Sequence, residues 1–318
     1  MQLPNKSMLE DAASLVHKSI LPTPQFCWPL LAEQLGCEAW VKHENHTCVG
    51  AFKVRGGVVY FDDLTRHKQR AGVISATRGN HGQSIGLAAK RNGLSASVVV
   101  PRGNSVEKNI AMQALGVKLI EFGDDFQAAR MHAQALATDN NLIMVPSFHP
   151  LLIRGVASYC LEFLSAVPHL DTVYVPIGLG SGICAMAAAR NALGHKAEIV
   201  GVVSSHATAY ADSFKTKSFV ESPSGTDIAD GMACSTPDPE ALEIIFREVS
   251  RIVKVSDEEI RAAMRMIYQC THNVSEGAGA AAVAAAYQEK SANKGRCIGT
   301  VLTGGNIDKE VFADVLSA

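Results

Sequence analysis

Short β-branched runs alternate with alanine-rich helical stretches along most of this chain, and that alternation restricts it to an α/β fold of parallel strands joined by crossover helices. Four such repeats are legible before residue 150. Gly72-Val73-Ile74-Ser75-Ala76 reads as a strand, 81–92 as a helix, and Ala96-Ser97-Val98-Val99-Val100 as the next strand, closed by Pro101. A helix over 105–115 ends at Gly116 and a strand follows over 117–120. Asp124 is expected to cap a helix running towards Thr138, and a strand over 142–145 stops before Pro146. The pattern resumes with a strand over 172–177, a glycine loop, a helix over 183–193 and a strand over 198–203. Residues 213–239 are rich in Ser, Thr, Pro, Gly and Asp, which predicts an ordered loop region. Ser256-Asp257-Glu258-Glu259 opens a helix with a capping-box pattern, and a helix over 277–288 precedes a strand over 298–302.

At 318 residues the chain exceeds one ordinary core, so one large α/β unit or two lobes sharing a cleft is expected. Lys+Arg 29 against Asp+Glu 31 leaves a net charge of −2, with only 19% charged residues, so no charge excess points to a nucleic-acid or membrane-surface partner. The expected partner is a small molecule. No run of about 18 apolar residues reads as a membrane span and the start is polar, so a cytoplasmic location is expected. The eight cysteines are scattered with no CxxC pair, against both a disulfide framework and a thiolate zinc site. His43, His46 and Cys48 are close enough to raise a metal, but they lack a second ligand pair, so they read as a loop-shaping cluster.

Lys53 is the most informative single residue. It sits at an expected helix start in Gly50-Ala51-Phe52-Lys53-Val54-Arg55-Gly56-Gly57, a tight, partly buried turn where an amine's pKa falls or where it holds an aldehyde cofactor covalently. Gly178-Leu179-Gly180-Ser181-Gly182 joins a strand to a helix, so its amides and the helix N-terminus suit a phosphate. It has no Walker lysine and no GxGxxG spacing, which favours a cofactor monophosphate over a nucleotide. Thr77-Arg78-Gly79-Asn80-His81-Gly82-Gln83 also joins strand to helix, and its amides and the Thr77 and Asn80 side chains suit a carboxylate or ring hydroxyl, unless Asn80 merely caps the helix. Thr303-Gly304-Gly305-Asn306 follows an apolar strand and presents a neutral hydroxyl.

These motifs, with Ser275-Glu276-Gly277-Ala278, occur in an order that resembles the fold-type II (tryptophan synthase beta-like) pyridoxal-phosphate enzymes, and within them the threonine/serine dehydratase and serine racemase group. The resemblance runs from Leu21-Pro22-Thr23-Pro24 to the C-terminal glycines. It implies a large lobe of residues 1–45 and 146–318, a small substrate-closing lobe of 46–145, parallel sheets flanked by helices, and pyridoxal 5'-phosphate in the cleft. By the same resemblance Lys53 holds the cofactor and takes the Cα proton. Gly178, Leu179, Gly180, Ser181 and Gly182 hold its phosphate, Asn80 its ring hydroxyl and Thr303 its pyridine nitrogen, with Glu276 beside it. Thr77, Arg78, Gly79 and His81 receive the substrate carboxylate. The implied reaction is removal of water from a β-hydroxy amino acid, giving a 2-keto acid and ammonia, in a homodimer. A structural divalent or monovalent cation near Asp230-Gly231 is implied for some members, without ligands being placed here.

Departures from the pattern refine this. Arg78 stands where the racemases carry a serine, which argues against racemisation and admits 3-hydroxyaspartate as a substrate, or else a structural ion pair of Arg78. The segment 151–158, expected as a pocket loop, reads Arg154-Gly155-Val156-Ala157-Ser158 where the group carries glutamine between two glycines, so phenylserine, serine and threonine stay open. β-Replacement, as in the cysteine synthase branch, is the other enzymatic alternative. A chain of this length is expected to lack the regulatory domain of biosynthetic threonine dehydratases.

Overall fold

The computed structural model describes residues 1–67 and 71–318. Its strands, numbered along the chain, are β1 Gln25–Cys27, β2 Glu38–His43, β3 Val73–Ala76, β4 Ala96–Val100, β5 Lys118–Glu121, β6 Ile143–Met144, β7 Thr172–Pro176, β8 Glu198–Ser204, β9 Arg251–Val255 and β10 Cys297–Leu302. They form a six-stranded sheet in the order β1-β2-β10-β7-β8-β9 and a four-stranded sheet in the order β5-β4-β3-β6. Every pairing is parallel except that of β1, an edge strand running antiparallel to β2. This is the α/β class that the alternation predicts. Strands β3 and β10 are buried along their whole length, as apolar strands covered by helices on both faces must be.

The large sheet carries one apolar cluster on each face. One forms around the helices Pro150–Ala166 and Ser181–Leu193, and the other around Gly277–Gln288. The latter reads GAGAAAVAAAYQ, and ten of its residues are buried. Its small side chains let the helix lie close on the strands without leaving voids.

Helices Val54–Arg66 and Pro150–Ala166 cross backbone to backbone. A Cβ on Gly155 would run into the Arg55 carbonyl, and one on Gly56 would come within 2.9 Å of the Leu152 carbonyl. The crossing buries an ion network. Arg55 Nε and Nη2 donate to both oxygens of Glu44 at 2.7 and 3.0 Å, and Nη1 donates to Glu162 Oε1 at 2.6 Å and Ser158 Oγ at 3.0 Å. Lys42 Nζ donates to Glu162 Oε2 at 2.6 Å and to the Thr23 carbonyl at 2.7 Å. Arg55 and Glu44 have fully buried side chains, and two cations face two carboxylates. Burial disfavours the charge on Glu162, but Arg55 first and Lys42 second hold its carboxyl below the usual range.

Three expectations are corrected. Asp125, not Asp124, caps the helix Phe126–Asp139, accepting from Ala128 N at 2.7 Å, because it is the extended residue just before the first helical position, while Asp124 pairs with Arg102 at 2.8 Å on the surface. Residues 151–158 are helical rather than a loop, since Pro150 is preset for a first helical turn and His149 Nδ1 accepts from Leu151 N at 3.2 Å. The stretch 213–239 is not loop throughout, for it contains the end of helix Ala209–Thr216 and the short 3₁₀ turn Asp230–Met232. The capping box at Ser256 and Glu259 is present in full.

Replacing Glu44 by alanine leaves two buried cations, Arg55 and Lys42, facing the one carboxylate of Glu162, and urea denaturation should show a loss of about 3–5 kcal/mol. Arg66→Ala, which breaks an exposed pair with Asp62, should cost less than about 1 kcal/mol. Because the folded-state pKa of Glu162 is lowered, its contribution is present above the unfolded-state value and is lost as pH falls through the folded one. Glu162→Gln should therefore flatten the acid side of the stability profile.

Candidate active site

Ligands of open parallel sheets gather beyond the carboxyl ends of the strands, and the motif loops all lie there. Lys53 lies in the segment after β2, the glycine loop follows β7, Thr303 follows β10, and residues 77–81 follow β3. Strands β2, β10 and β7 are neighbours in the large sheet, so their loops are adjacent.

Lys53 is the residue before helix Val54–Arg66 and is tied directly to the end of β10. Phe52 N donates to the Thr303 carbonyl at 3.0 Å, Gly305 N to the Gly50 carbonyl at 2.9 Å, and Ala51 bridges Gly304 antiparallel. Thr47 Oγ1 closes the turn from the other side, accepting from Ala51 N and donating to the Ala51 carbonyl, both at 2.9 Å. The Lys53 amine sits 4.7 Å from the centroid of the Phe52 ring. Desolvation pulls its pKa down to about 8, with Glu276 opposing.

The four-stranded sheet contributes Asn80, the first residue of helix Asn80–Arg91. Its side chain caps nothing. Asn80 Nδ2 donates to Glu276 Oε1 at 2.6 Å, and Asn80 Oδ1 accepts from Asn306 Nδ2 at 2.8 Å. Glu276, buried at the start of helix Gly277–Gln288, lies 3.3 Å from Lys108 Nζ, which also reaches Asp230 Oδ2 at 2.7 Å. Burial raises the Glu276 pKa, Lys108 opposes this and Asp230 adds to it. Burial acts against the Lys108 charge, but Glu276 and Asp230 prevail and raise its pKa.

In the loop itself Thr77 Oγ1 accepts from Gly79 N at 2.9 Å, and Gly79, at φ 151°, has no room for a Cβ beside Lys108. His81 is buried and kept neutral, its pKa pushed to about 3 by burial and by nearby Lys53. Arg78 Nε, His81 Nε2 and Gln83 Nε2 are buried without a hydrogen-bond partner among the described residues, three such atoms within six positions. Arg78 has no ion pair among the described residues, so the structural pairing that its charge would allow is not formed there.

Gly180 adopts the left-handed region at φ 98° as the residue before helix Ser181–Leu193. Tyr210 OH donates to the Leu179 carbonyl and accepts from Asp238 N, each at 3.0 Å, which fixes the turn from outside. A Cβ on Gly178 would meet the Gly231 carbonyl. A Cβ on Gly182 would meet only the Phe52 ring at 3.7 Å and the Tyr159 hydroxyl at 3.8 Å. The Phe52 ring thus neighbours both Gly182 and the Lys53 amine. A desolvated amine, an anion-binding turn at a helix N-terminus and small residues beside them fit a phosphorylated aldehyde.

Other sequence candidates lie elsewhere. His43 Nε2 accepts from Trp28 Nε1 at 2.9 Å, its ring stacks on His46, and His46 pairs with Asn273 at 2.7 Å, so the cluster with exposed Cys48 shapes a loop. All eight cysteines are free thiols. Sequence reasoning missed Lys108 and Tyr210 and gave no role to Asn306, although that residue closes the motif begun by Thr303. Lys108 left a trace, because it shares the inward face of its helix with Met112.

A family model described as pyridoxal-phosphate dependent enzyme matches residues 16–304. The chain belongs to this family. Its cofactor is therefore pyridoxal phosphate. A Staphylococcus aureus (strain N315) protein named L-threonine dehydratase catabolic TdcB is 30% identical over 305 residues, covering 94% of this chain and 88% of that one. The processed form of threonine deaminase isoform 2 from Solanum lycopersicum matches with a TM-score of 0.90 at 28% identity, covering 98% of this chain and 87% of that one. A pyridoxal 5'-phosphate-dependent aspartate racemase matches with a TM-score of 0.90 at 26% identity, covering 98% of each chain.

Stripped of cofactor, this pyridoxal-phosphate enzyme should capture added pyridoxal phosphate at Lys53 with a rate that rises with pH and levels off above about 8, where the amine is unprotonated; stopped-flow absorbance reads it. Gly180→Ala should cost about 1–2 kcal/mol from its left-handed backbone alone, whereas Gly182→Ala should leave the thermal midpoint of the cofactor-free protein nearly unchanged.

Proposed function

We propose that this enzyme is a pyridoxal-phosphate-dependent dehydratase (ammonia-lyase) that removes water from a β-hydroxy amino acid of the threonine/serine type, releasing a 2-keto acid and ammonia. The observation that carries this reading is a desolvated Lys53 amine whose neighbour Phe52 is bonded to the backbone of an uncharged residue, Thr303. The names of the Staphylococcus aureus and Solanum lycopersicum relatives support it.

When bound, the cofactor supplies an electron-withdrawing ring that acidifies the substrate Cα–H. The chain's own residues do the rest. Lys53 would hold the cofactor, and its amine would be placed to take the substrate Cα proton. The β-hydroxyl leaves as water, and hydrolysis of the resulting unsaturated amine consumes a water and releases ammonia, so the balance is one amino acid to one 2-keto acid and one ammonia. Gly178, Leu179, Gly180, Ser181 and Gly182 hold the phosphate. Asn80, held by Glu276 and Asn306, orients the ring through its remaining amide proton. Thr303 would present a neutral hydroxyl, rather than a carboxylate, to the cofactor's ring nitrogen. Thr77, Arg78, Gly79 and His81 receive the substrate carboxylate. The same reading takes residues 46–145 as the lobe that closes on the substrate against 1–45 and 146–318, and the enzyme as a cytoplasmic homodimer. Among the described residues no helix is long and apolar enough to cross a membrane.

Keto-acid release by the cofactor-loaded enzyme from L-threonine, L-serine, threo-3-hydroxyaspartate and phenylserine tests the reading. Release from at least one, abolished in Lys53→Ala, is the expected result. Silence across the panel together with product formation only when sulfide is added would overturn it in favour of β-replacement.

A further inference from the structure

At the other end of the large sheet, away from the cofactor cleft, Glu38, His169 and Cys297 come together from three distant parts of the chain. Cys297 and Glu38 begin β10 and β2 and are register partners, and His169 lies in the loop that leads into β7 on the other side of β10. One ligand atom from each lies within 4.8 Å of the others, and His169 Nε2 is 2.9 Å from Glu38 Oε1. We propose that Glu38, His169 and Cys297 form a binding site for a zinc-class divalent cation.

The chemistry of the donors selects the ion. A thiolate and an imidazole favour zinc over magnesium or calcium, which take oxygen ligands. One thiolate, one carboxylate and one neutral imidazole neutralise a dication in formal charge, with water as the fourth ligand of a tetrahedron. Glu38 has no lysine or arginine ion-pair partner among the described residues, only His169, so its charge stays available to a metal. Tetrahedral zinc holds its ligand atoms roughly 3.5 Å apart. Rotation of Glu38 and His169, whose side chains are 43% and 57% exposed, closes the remaining gap while Cys297 stays in place.

The surroundings are built as an outer shell. Trp40 Nε1 donates to Glu38 Oε1 at 2.8 Å, and Asp171 brackets Cys297 by accepting from its N–H and donating to its carbonyl, each at 2.8 Å. Such contacts orient metal ligands. A bound ion clamps the starts of β2, β10 and β7, the three strands whose far ends lead to Lys53, Thr303 and the glycine loop. It therefore stabilises the folded state without touching the reacting groups.

Zinc titrated into the cofactor-loaded enzyme, followed by calorimetry and zinc-edge X-ray absorption, decides the matter. The expected result is one zinc per chain, one sulfur ligand at about 2.3 Å with the remaining ligands at about 2.0–2.2 Å, and a melting temperature that rises with zinc. Affinity should fall in His169→Ala and Glu38→Gln by more than the roughly 10- to 100-fold that losing an outer-shell partner costs. Both substitutions are at exposed side chains, so they keep the test valid if Cys297→Ser folds poorly. His46→Ala should bind as the parent does. Unchanged affinity in His169→Ala and Glu38→Gln, a zinc environment without sulfur, or a loss confined to His46→Ala would overturn the proposal.

Discussion

The position of Lys53 depends on Arg55, two residues further on. Lys53 precedes a helix whose first turn has no capping side chain, so the backbone bonds that tie residues 50–52 to the end of β10 set where the helix starts only from one side. The Arg55 guanidinium sets it from the other, because Glu44 holds it from the segment after β2 and Glu162 and Ser158 hold it from the helix Pro150–Ala166. A buried ion network of this kind adds little net stability over an apolar core of the same shape, since desolvation offsets most of the attraction. What it adds is a single position. A shift of the helix along its axis would separate Arg55 from both carboxylates at once and leave buried charges unpaired. The glycine crossing at Gly56 and Gly155 leaves no slack for such a shift.

The same economy of charge sets the state of the Lys53 amine. Glu276 is the carboxylate that favours its proton, but Glu276 already serves Lys108 at 3.3 Å and Asn80 at 2.6 Å. Lys108 is drawn towards both Glu276 and Asp230 and keeps its proton, whereas Lys53 has no carboxylate within ion-pair distance among the described residues. Desolvation therefore dominates at Lys53 and ionic attraction dominates at Lys108, two lysines with opposite shifts. The division also joins the two sheets, because Asn80 and Lys108 come from the four-stranded one and Glu276, Asp230 and Asn306 from the six-stranded side.

The parts of this arrangement written in local sequence were readable. Strand and helix alternation is a periodicity, glycine-bearing turns at strand ends are short motifs, and the order of Lys53, Asn80, Gly178, Glu276 and Thr303 identified the family. What was not readable depends on contacts between distant segments. Gly155 looked like a loop residue, yet its small size serves a helix crossing. Asp124 and Asp125 are interchangeable as caps by composition, and only where the helix begins, at Phe126, decides between them. Lys108 reads as a surface charge in a polar helix until the fold sets Asp230 beside it. Glu38, His169 and Cys297 have no spacing that any motif would register, because strand order alone makes them neighbours.

A parallel sheet gives its two ends different tasks. Beyond the carboxyl ends of β2, β10 and β7 the chain leaves the strands in loops that carry Lys53, Thr303 and the glycine turn, the end of a parallel sheet where ligands gather. At the amino ends the chain enters the strands through short, tightly bonded segments, with Asp171 N bonded to the Cys297 carbonyl and Cys297 beside Glu38. Register fixed at the entrance is carried along the strand, because a slip of one residue would turn every buried side chain to the opposite face. For β10, buried at all six positions, such a slip would also move Thr303 off the Phe52 amide that ties it to Lys53. The geometry of the cleft is thus set in part by the bonds that hold the far end of the same three strands.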